Sequence, residues 1–161
     1  MPPTLNETYD RILCAIDKDD SEYAVRILRW LAFSSRPLLA EELSEVVAIN
    51  TERNPMFSQQ EVLEDPLEVL DICSSLVTIT TSNNVEVTPQ MAGFGYVPTG
   101  KVVGLAHYSV KEYLLSEQSR QNQAEKYSIQ EVSCNEFIAM SCLGYLLQFE
   151  TCEFFSYKDV E

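Results

Sequence analysis

Residues suited to chemistry gather in the stretch from Leu105 to Leu115, which contains His107, the only histidine of the chain. Ser109 and Glu112 follow at the Ser-x-x-Glu spacing of a capping box, in which each side chain accepts a hydrogen bond from a backbone N–H of the first helical turn. A helix N-terminus carries unpaired N–H groups and a partial positive charge. A histidine beside it is therefore suited to contact a phosphate, with Ser109 and Glu112 as helix-capping support. The structural alternative is a histidine that only ends the preceding strand and finds a hydrogen-bond partner.

Catalysis finds no support in the residue pattern. A single histidine excludes a metal site with two histidine ligands, and no serine stands in a Gly-x-Ser-x-Gly motif. Ser109 is close to His107 in sequence, yet it is better used as a helix cap than as a nucleophile. The five cysteines form no Cys-x-x-Cys pair, which is typical of a reduced protein without a metal site. We therefore expect no enzyme activity, no catalytic residues and no metal.

A glycine-bearing segment imitates a nucleotide-binding loop. Residues 95–101 (GYVPTGK) carry glycine and lysine at the P-loop spacing, but Val102 stands where a Ser or Thr would bind Mg²⁺. A P-loop also opens a helix, whereas the residues after Lys101 are β-branched. Pro98 removes one backbone donor from the loop. The segment is predicted to be a wing loop, and the isolated chain is predicted to bind no cofactor.

Helical patterns precede strand patterns along the chain. Apolar residues recur at helical spacing in four segments, near residues 4–16, 21–33, 40–48 and 65–74. After a loop predicted before the fourth helix, at residues 50–64, strand-like runs follow that helix at 76–81, 85–87 and 102–105. This order predicts a mainly α domain with a small β-wing over residues 1–116. A linker over 117–128, whose polar residues 117–126 form either a linker or a frayed helix, is expected to follow. An amphipathic helix over 129–161, beginning an incomplete helical or repeat region, is expected after it.

The stretch around His107 resembles the His-x-Ser-x-x-Glu/Asp-Tyr-Leu signature of the winged-helix domain that follows the NACHT nucleotide-binding domain in fungal STAND-type, NLR-like signalling proteins. Many of those proteins end in ankyrin repeats, and the winged-helix family takes its common name from a GPI inositol-deacylase. Four segments occur in the family's order and spacing across most of residues 2–116, namely PxLxETYxRIL, AxxILxWLxFSxRPL, ICSSLV and AHYSVKEYLL. A later segment, IAMSCLGYLL, also matches the start of the family's helical region.

The resemblance implies a winged-helix fold and a regulatory role. In STAND proteins a histidine at the matching place contacts bound ADP and holds the resting state closed, so this nucleotide-sensing role falls to His107. The implied partners are a NACHT domain, expected before Met1 in a complete protein, and ankyrin-type repeats, in cis or in trans. ADP or ATP is implied only through that NACHT domain. The alternative is a free-standing cytosolic protein–protein adaptor.

Charge argues against a DNA-binding winged helix. The chain has 11 basic and 25 acidic residues, a net charge of −14, which repels nucleic acid and anionic membranes. No lysine or arginine occurs between residues 54 and 100, where the recognition helix and hairpin would lie, although phosphate binding needs basic residues. The sequence has neither a membrane-length apolar run nor a signal-peptide pattern. We expect a cytoplasmic protein with no nucleic-acid or membrane partner.

Overall fold

The computed structural model describes residues 3–81 and 100–149. Within these residues the α-helices are α1 Pro3–Cys14, α2 Ser21–Phe33, α3 Ala40–Val46, α4 Glu68–Cys73, α5 Tyr108–Leu115, α6 Glu117–Gln121 and α7 Glu131–Leu147. The strands are β1 Leu38–Leu39, β2 Val77–Thr81 and β3 Lys101–Leu105. Short 3₁₀ turns lie at Gln59–Glu61, Ser74–Leu76 and Glu125–Tyr127. The prediction of a mainly α winged-helix fold with a small sheet is confirmed.

Helix α2 lies at the centre of the fold. Its Ala24, Ile27 and Leu28 recur at positions i, i+3 and i+4, and each is at most 1% exposed. The helix packs against α4, α7 and β3. Burying a side chain of the size of leucine contributes about 1.5–3 kcal/mol. These contacts therefore make α2 the scaffold on which the other elements are arranged.

The sheet brings distant parts of the chain together. Its strand order is β1-β3-β2, with antiparallel pairing throughout. In the central strand, Val103 lies opposite Leu38 on one side and Ile79 on the other. Beyond the last ladder pair, the Ala106 N–H donates to the Leu76 carbonyl at 2.9 Å. The sheet thus fixes the backbone immediately before His107.

The segment after α5 differs from the predicted linker. Residues 117–128 form α6 and a 3₁₀ turn, and their Ser119, Ala124 and Tyr127 are buried. The Ile129 N–H also donates to the Leu114 carbonyl at 2.8 Å. Small and aromatic residues among the polar ones anchor this segment, so it belongs to the packed body.

The predicted loop at residues 50–64 is held by specific contacts. An isolated β-bridge joins Ile49 to Phe57, and the Asn50 N–H donates to the Met56 carbonyl at 2.7 Å. Arg53 forms an ion pair with Glu61. The loop therefore has a defined conformation, and the ring of Phe57 packs against Tyr145 of α7.

Several predicted features lie outside the described residues. They are the strand at 85–87, the turn before it, most of the loop at 95–101, and the chain beyond residue 149.

Helix α7 carries apolar residues on two faces, unlike the amphipathic helix that was predicted. One face is buried through Cys134, Ser141 and Gly144. The opposite face exposes large apolar side chains, namely Val132, Met140, Leu143, Leu146 and Leu147. Leu143, Leu146 and Leu147, which would belong to the buried side of an amphipathic helix, are exposed.

Candidate functional site

His107 occupies the N-cap position of α5. Its backbone is extended, with φ −154° and ψ 150°, and its Nδ1 accepts a hydrogen bond from the Ser109 N–H at 3.1 Å. The histidine side chain therefore does the work that a Ser, Thr, Asp or Asn side chain does in most caps, by satisfying a backbone donor of the first turn. The prediction that Ser109 caps this helix is wrong, because Ser109 already lies inside it.

Ser109 instead links His107 to the first helix. Its Oγ lies 2.6 Å from His107 Nδ1 and 2.7 Å from the hydroxyl oxygen of Tyr9. Since Nδ1 already accepts from the Ser109 N–H, it carries a lone pair, and the Ser109 hydroxyl must donate to it. The Tyr9 hydroxyl then donates to Ser109 Oγ. These directions place the ring proton on Nε2.

Burial changes abruptly along this chain of hydrogen bonds. Tyr9 and Ser109 are buried, whereas His107 is exposed. No other described residue forms a hydrogen bond with Nε2. The imidazole is therefore held from the inside through Nδ1, and its Nε2–H faces outward as a donor.

Glu112 does not complete the predicted capping box. Its side chain is exposed, and within residues 3–81 and 100–149 no hydrogen bond joins it to Ser109. The box needs a cap one turn before the glutamate. Because the cap is His107, Glu112 stands five residues later, too far along the helix to reach back to the cap N–H.

Further polar contacts hold α1 against α5 and α6. The Asp10 carboxylate accepts hydrogen bonds from the Tyr113 hydroxyl and from Asn122 Nδ2, the latter at 2.7 Å. The rings of Tyr9 and Tyr113 lie 5.4 Å apart between centroids. Burial, together with the neighbouring Asp10 carboxylate, raises the pKa of the Tyr113 phenol above its usual value. Tyr113 therefore stays neutral and keeps donating to Asp10.

The Ser109–His107 pair is unsuited to nucleophilic catalysis. A catalytic serine must reach a substrate, and its histidine needs a third group that orients it. Ser109 is 6% exposed, and its Oγ is enclosed between Tyr9 and His107. The arrangement can, however, present one oriented N–H donor beside the positive end of a helix, which suits an anionic oxygen.

Sequence reasoning missed the parts played by Tyr9 and Asp10. The helical spacing near residues 4–16 predicts a helix there but singles out neither Tyr9 nor Asp10. Their partners lie 100 and 103 residues away. The only available signal was that Tyr9 and His107 both belong to segments that resemble one family.

A separate cavity of about 490 Å³ lies where α7 meets α2, β1 and α3. Two residues that line it, Trp30 and Ser141, carry buried polar atoms, Nε1 and Oγ, without a hydrogen-bond partner among the described residues. A buried polar group without a partner costs about 1–3 kcal/mol. No sequence pattern singled out this cavity.

The described residues offer neither a membrane-spanning helix nor a metal site. None of the described helices is both long and apolar enough to cross a membrane. Residues 3–81 and 100–149 also contain no group of His, Cys, Asp and Glu side chains that could hold a metal ion.

Comparison with known proteins identifies the family. The family model described as "GPI inositol-deacylase, winged helix domain" matches residues 9–94, a segment that ends before His107. The "Azaphilone pigments biosynthesis cluster protein L" of Monascus ruber is 34% identical over 148 residues, covering 92% of this chain and 29% of that protein. The chain thus spans less than a third of that relative's length. No solved structure matches significantly. The chain belongs to the winged-helix family named after GPI inositol-deacylase.

Proposed function

We propose that this chain is a non-catalytic regulatory module of a NACHT-type STAND signalling protein. In this proposal it closes over the nucleotide site of a NACHT domain, with His107 contacting the β-phosphate of bound ADP. It then relays the nucleotide state to downstream ankyrin-type repeats. The partner domains act in cis or in trans, and the nucleotide belongs to the NACHT domain.

The observation that carries this proposal is the fixed orientation of the His107 ring. Nδ1 is engaged by Ser109, and Ser109 is held by Tyr9. The exposed Nε2–H can therefore donate to a phosphate oxygen without first losing rotational freedom, which favours binding. The N-terminus of α5 adds a partial positive charge on the same side.

The charge distribution suits a domain that binds nucleotide only with a partner. The net charge of −14 disfavours an isolated phosphate site. Lys101, the lysine of the P-loop lookalike, is the first residue of β3, so no helix N-terminus follows it to hold a phosphate. If His107 adds one imidazole to a phosphate site built by another domain, this chain needs neither a positive charge nor a P-loop helix of its own.

A free-standing protein–protein adaptor is the second candidate. The outer face of α7 favours it, because Leu143, Leu146 and Leu147 are each more than half exposed. Exposed apolar patches on soluble proteins often mark interaction surfaces. DNA binding has no such support, because α4 and β2 carry no basic residue and α4 contains Glu68 and Asp71.

The first test is the transcript that encodes the chain. A continuous reading frame that contains a P-loop upstream supports the regulatory module. A stop codon and a separate promoter directly upstream support the adaptor and contradict the role in cis.

The biochemical test measures association with the NACHT domain of that protein. The isolated chain should bind the ADP-loaded domain at least 10-fold more tightly than the ATP-loaded domain, because only differential affinity shifts a conformational equilibrium. Equal affinity for the two forms would contradict nucleotide sensing.

A further inference from the structure

The cavity between α7 and the winged-helix body has the size and lining of a small-molecule site. Its volume of about 490 Å³ lies within the range of roughly 300–1,000 Å³ that is typical of ligand sites. The apolar part of its lining comes from Leu38, Val46, Ile49 and Leu146. Trp30 adds an indole ring from α2. An apolar ligand body would therefore fit this lining.

Two hydrogen-bonding groups stand out against the apolar lining. Trp30 Nε1 and Ser141 Oγ are buried without partners among the described residues, and Ser141 is 0% exposed. An indole N–H can only donate, while a serine hydroxyl can donate or accept. A carbonyl oxygen has two lone pairs and can accept from both groups at once.

The charges around the cavity disfavour an anionic ligand. The lining includes the carboxylates of Glu42 and Glu45. Arg36, the cation of the lining, forms an ion pair with Glu42. Glu45 accepts a hydrogen bond from the Tyr145 hydroxyl. An anionic ligand would meet these carboxylates at close range and be repelled.

We propose that this cavity binds a neutral, mainly apolar small molecule whose carbonyl oxygen accepts hydrogen bonds from Trp30 and Ser141. The site is independent of His107 and of the proposed nucleotide-sensing role. Contact with the two polar atoms needs a small side-chain movement, because both are shielded from solvent.

The chain contains a single tryptophan, so the indole N–H signal in a ¹H–¹⁵N NMR spectrum reports on this site alone. We would titrate the full chain with 2-acetylnaphthalene, a neutral aromatic ketone. The matched controls are 2-ethylnaphthalene, which lacks the carbonyl, and 2-naphthoate, which is anionic. The ketone should give a saturable downfield shift of the indole proton and bind about 3- to 10-fold more tightly than either control.

Variants separate the proposed contacts from general apolar adsorption. Ser141→Ala, followed by the indole signal, should weaken ketone binding about 3- to 10-fold and leave the affinity for 2-ethylnaphthalene unchanged. Trp30→Phe removes the indole signal, so its ketone binding is followed by the fluorescence of the naphthalene ligand and should also weaken about 3- to 10-fold. Ser133→Ala, an exposed position on the same helix, should bind the ketone like the parent. The proposal is overturned if the indole signal does not respond to the ketone at millimolar concentration. Equal binding of the ketone and the hydrocarbon, or unchanged ketone affinity in both cavity variants, would also overturn it.

Discussion

The hydroxyl oxygen of Tyr9 lies 2.7 Å from Ser109 Oγ, a buried contact between residues 100 positions apart. Through Ser109 it connects α1 to the imidazole of His107, which is exposed at the start of α5. The orientation of the proposed sensor residue therefore depends on the packing of the first helix. Any change that loosens α1 should also loosen His107.

Replacing Tyr9 with phenylalanine tests this dependence. Tyr9→Phe removes one hydrogen bond and leaves the buried Ser109 hydroxyl with a single partner, so the free energy of unfolding should fall by about 1–2 kcal/mol. Urea unfolding measures the loss. Tyr108→Phe is the matched control, because Tyr108 is 69% exposed and its substitution should change stability by less than about 0.5 kcal/mol. Equal effects of the two substitutions would contradict the buried contact.

Helix α7 should be sensitive at Gly144. A Cβ atom added there would lie 2.6 Å from Met56 Sδ and 3.0 Å from Met56 Cβ, closer than side-chain packing allows. Overpacking of this kind costs about 1–3 kcal/mol, partly offset by the better helix propensity of alanine. Gly144→Ala should therefore be neutral to destabilising in the parent chain.

Shortening the neighbour should weaken that effect. In a Met56→Ala background the close approaches to Sδ and Cγ are absent and only the 3.0 Å approach to Cβ remains, so Gly144→Ala should be less destabilising than in the parent chain, with the better helix propensity of alanine worth up to about 1 kcal/mol. A double-mutant cycle in urea measures the coupling between the two positions. Additive effects would show that α7 does not pack closely on Met56.

Glu42 should make folding stability depend on pH. Hydrogen bonding to Arg36 and to the Leu39 N–H holds the pKa of this carboxyl below its ordinary value, although partial burial opposes the shift. A carboxyl with a lowered pKa in the folded state stabilises the fold above its unfolded pKa of about 4.3. That contribution is lost as the pH falls through the lower folded pKa.

Glu42→Gln removes the titrating group while keeping a side chain that can accept from Leu39. The difference in unfolding free energy between parent and variant should be largest at neutral pH and shrink below about pH 4. Urea unfolding at a series of pH values measures it. A difference that stays constant across this range would show that the Arg36–Glu42 pair contributes no pH dependence.

Lys101 should play no part in nucleotide binding by the isolated chain. It opens a strand and pairs with Thr81, whereas a P-loop lysine stands at the start of a helix. We expect no tight ATP binding and no hydrolysis, and Lys101→Ala should leave any residual signal in calorimetry unchanged. Strong binding that is lost in this variant would contradict the assignment of a wing segment.

The sequence predicted the helices of the body well because their apolar residues recur regularly. The bounds of α2 were predicted at Ser21 and Phe33 and are found there. It missed β1, because two residues are too few to show an alternating pattern. The fourth helix was predicted from residue 65, whereas the Asp65 side chain accepts from the Leu67 N–H in a turn and α4 begins at Glu68.

The candidate site was predicted only in part, because local spacing predicts helices but not tertiary contacts. Local spacing identified His107 and a following helix, and the same spacing led to the wrong cap. The Ser-x-x-Glu pattern was present, but a tertiary contact with Tyr9 holds the Ser109 hydroxyl. Contacts between residues about a hundred positions apart produce no repeating residue pattern in a single sequence. The cavity beside Trp30 and Ser141 was missed because it forms only when α7 packs against the body.

The proposed sensor role is tested most directly by the rate of ADP release. The measurement uses the protein that joins this chain to a NACHT domain, loaded with a fluorescent ADP analogue. His107→Ala removes both the cap and the Nε2–H donor. His107→Asn keeps a good N-cap residue but removes the imidazole, so it separates helix stability from phosphate contact.

A hydrogen bond to a charged phosphate contributes about 1.5–3 kcal/mol. Both variants should therefore release ADP about 10-fold faster or more, while His107→Asn keeps the melting temperature of the parent. The account is contradicted if His107→Asn retains the parent's ADP release rate, because His107 would then serve only to cap α5.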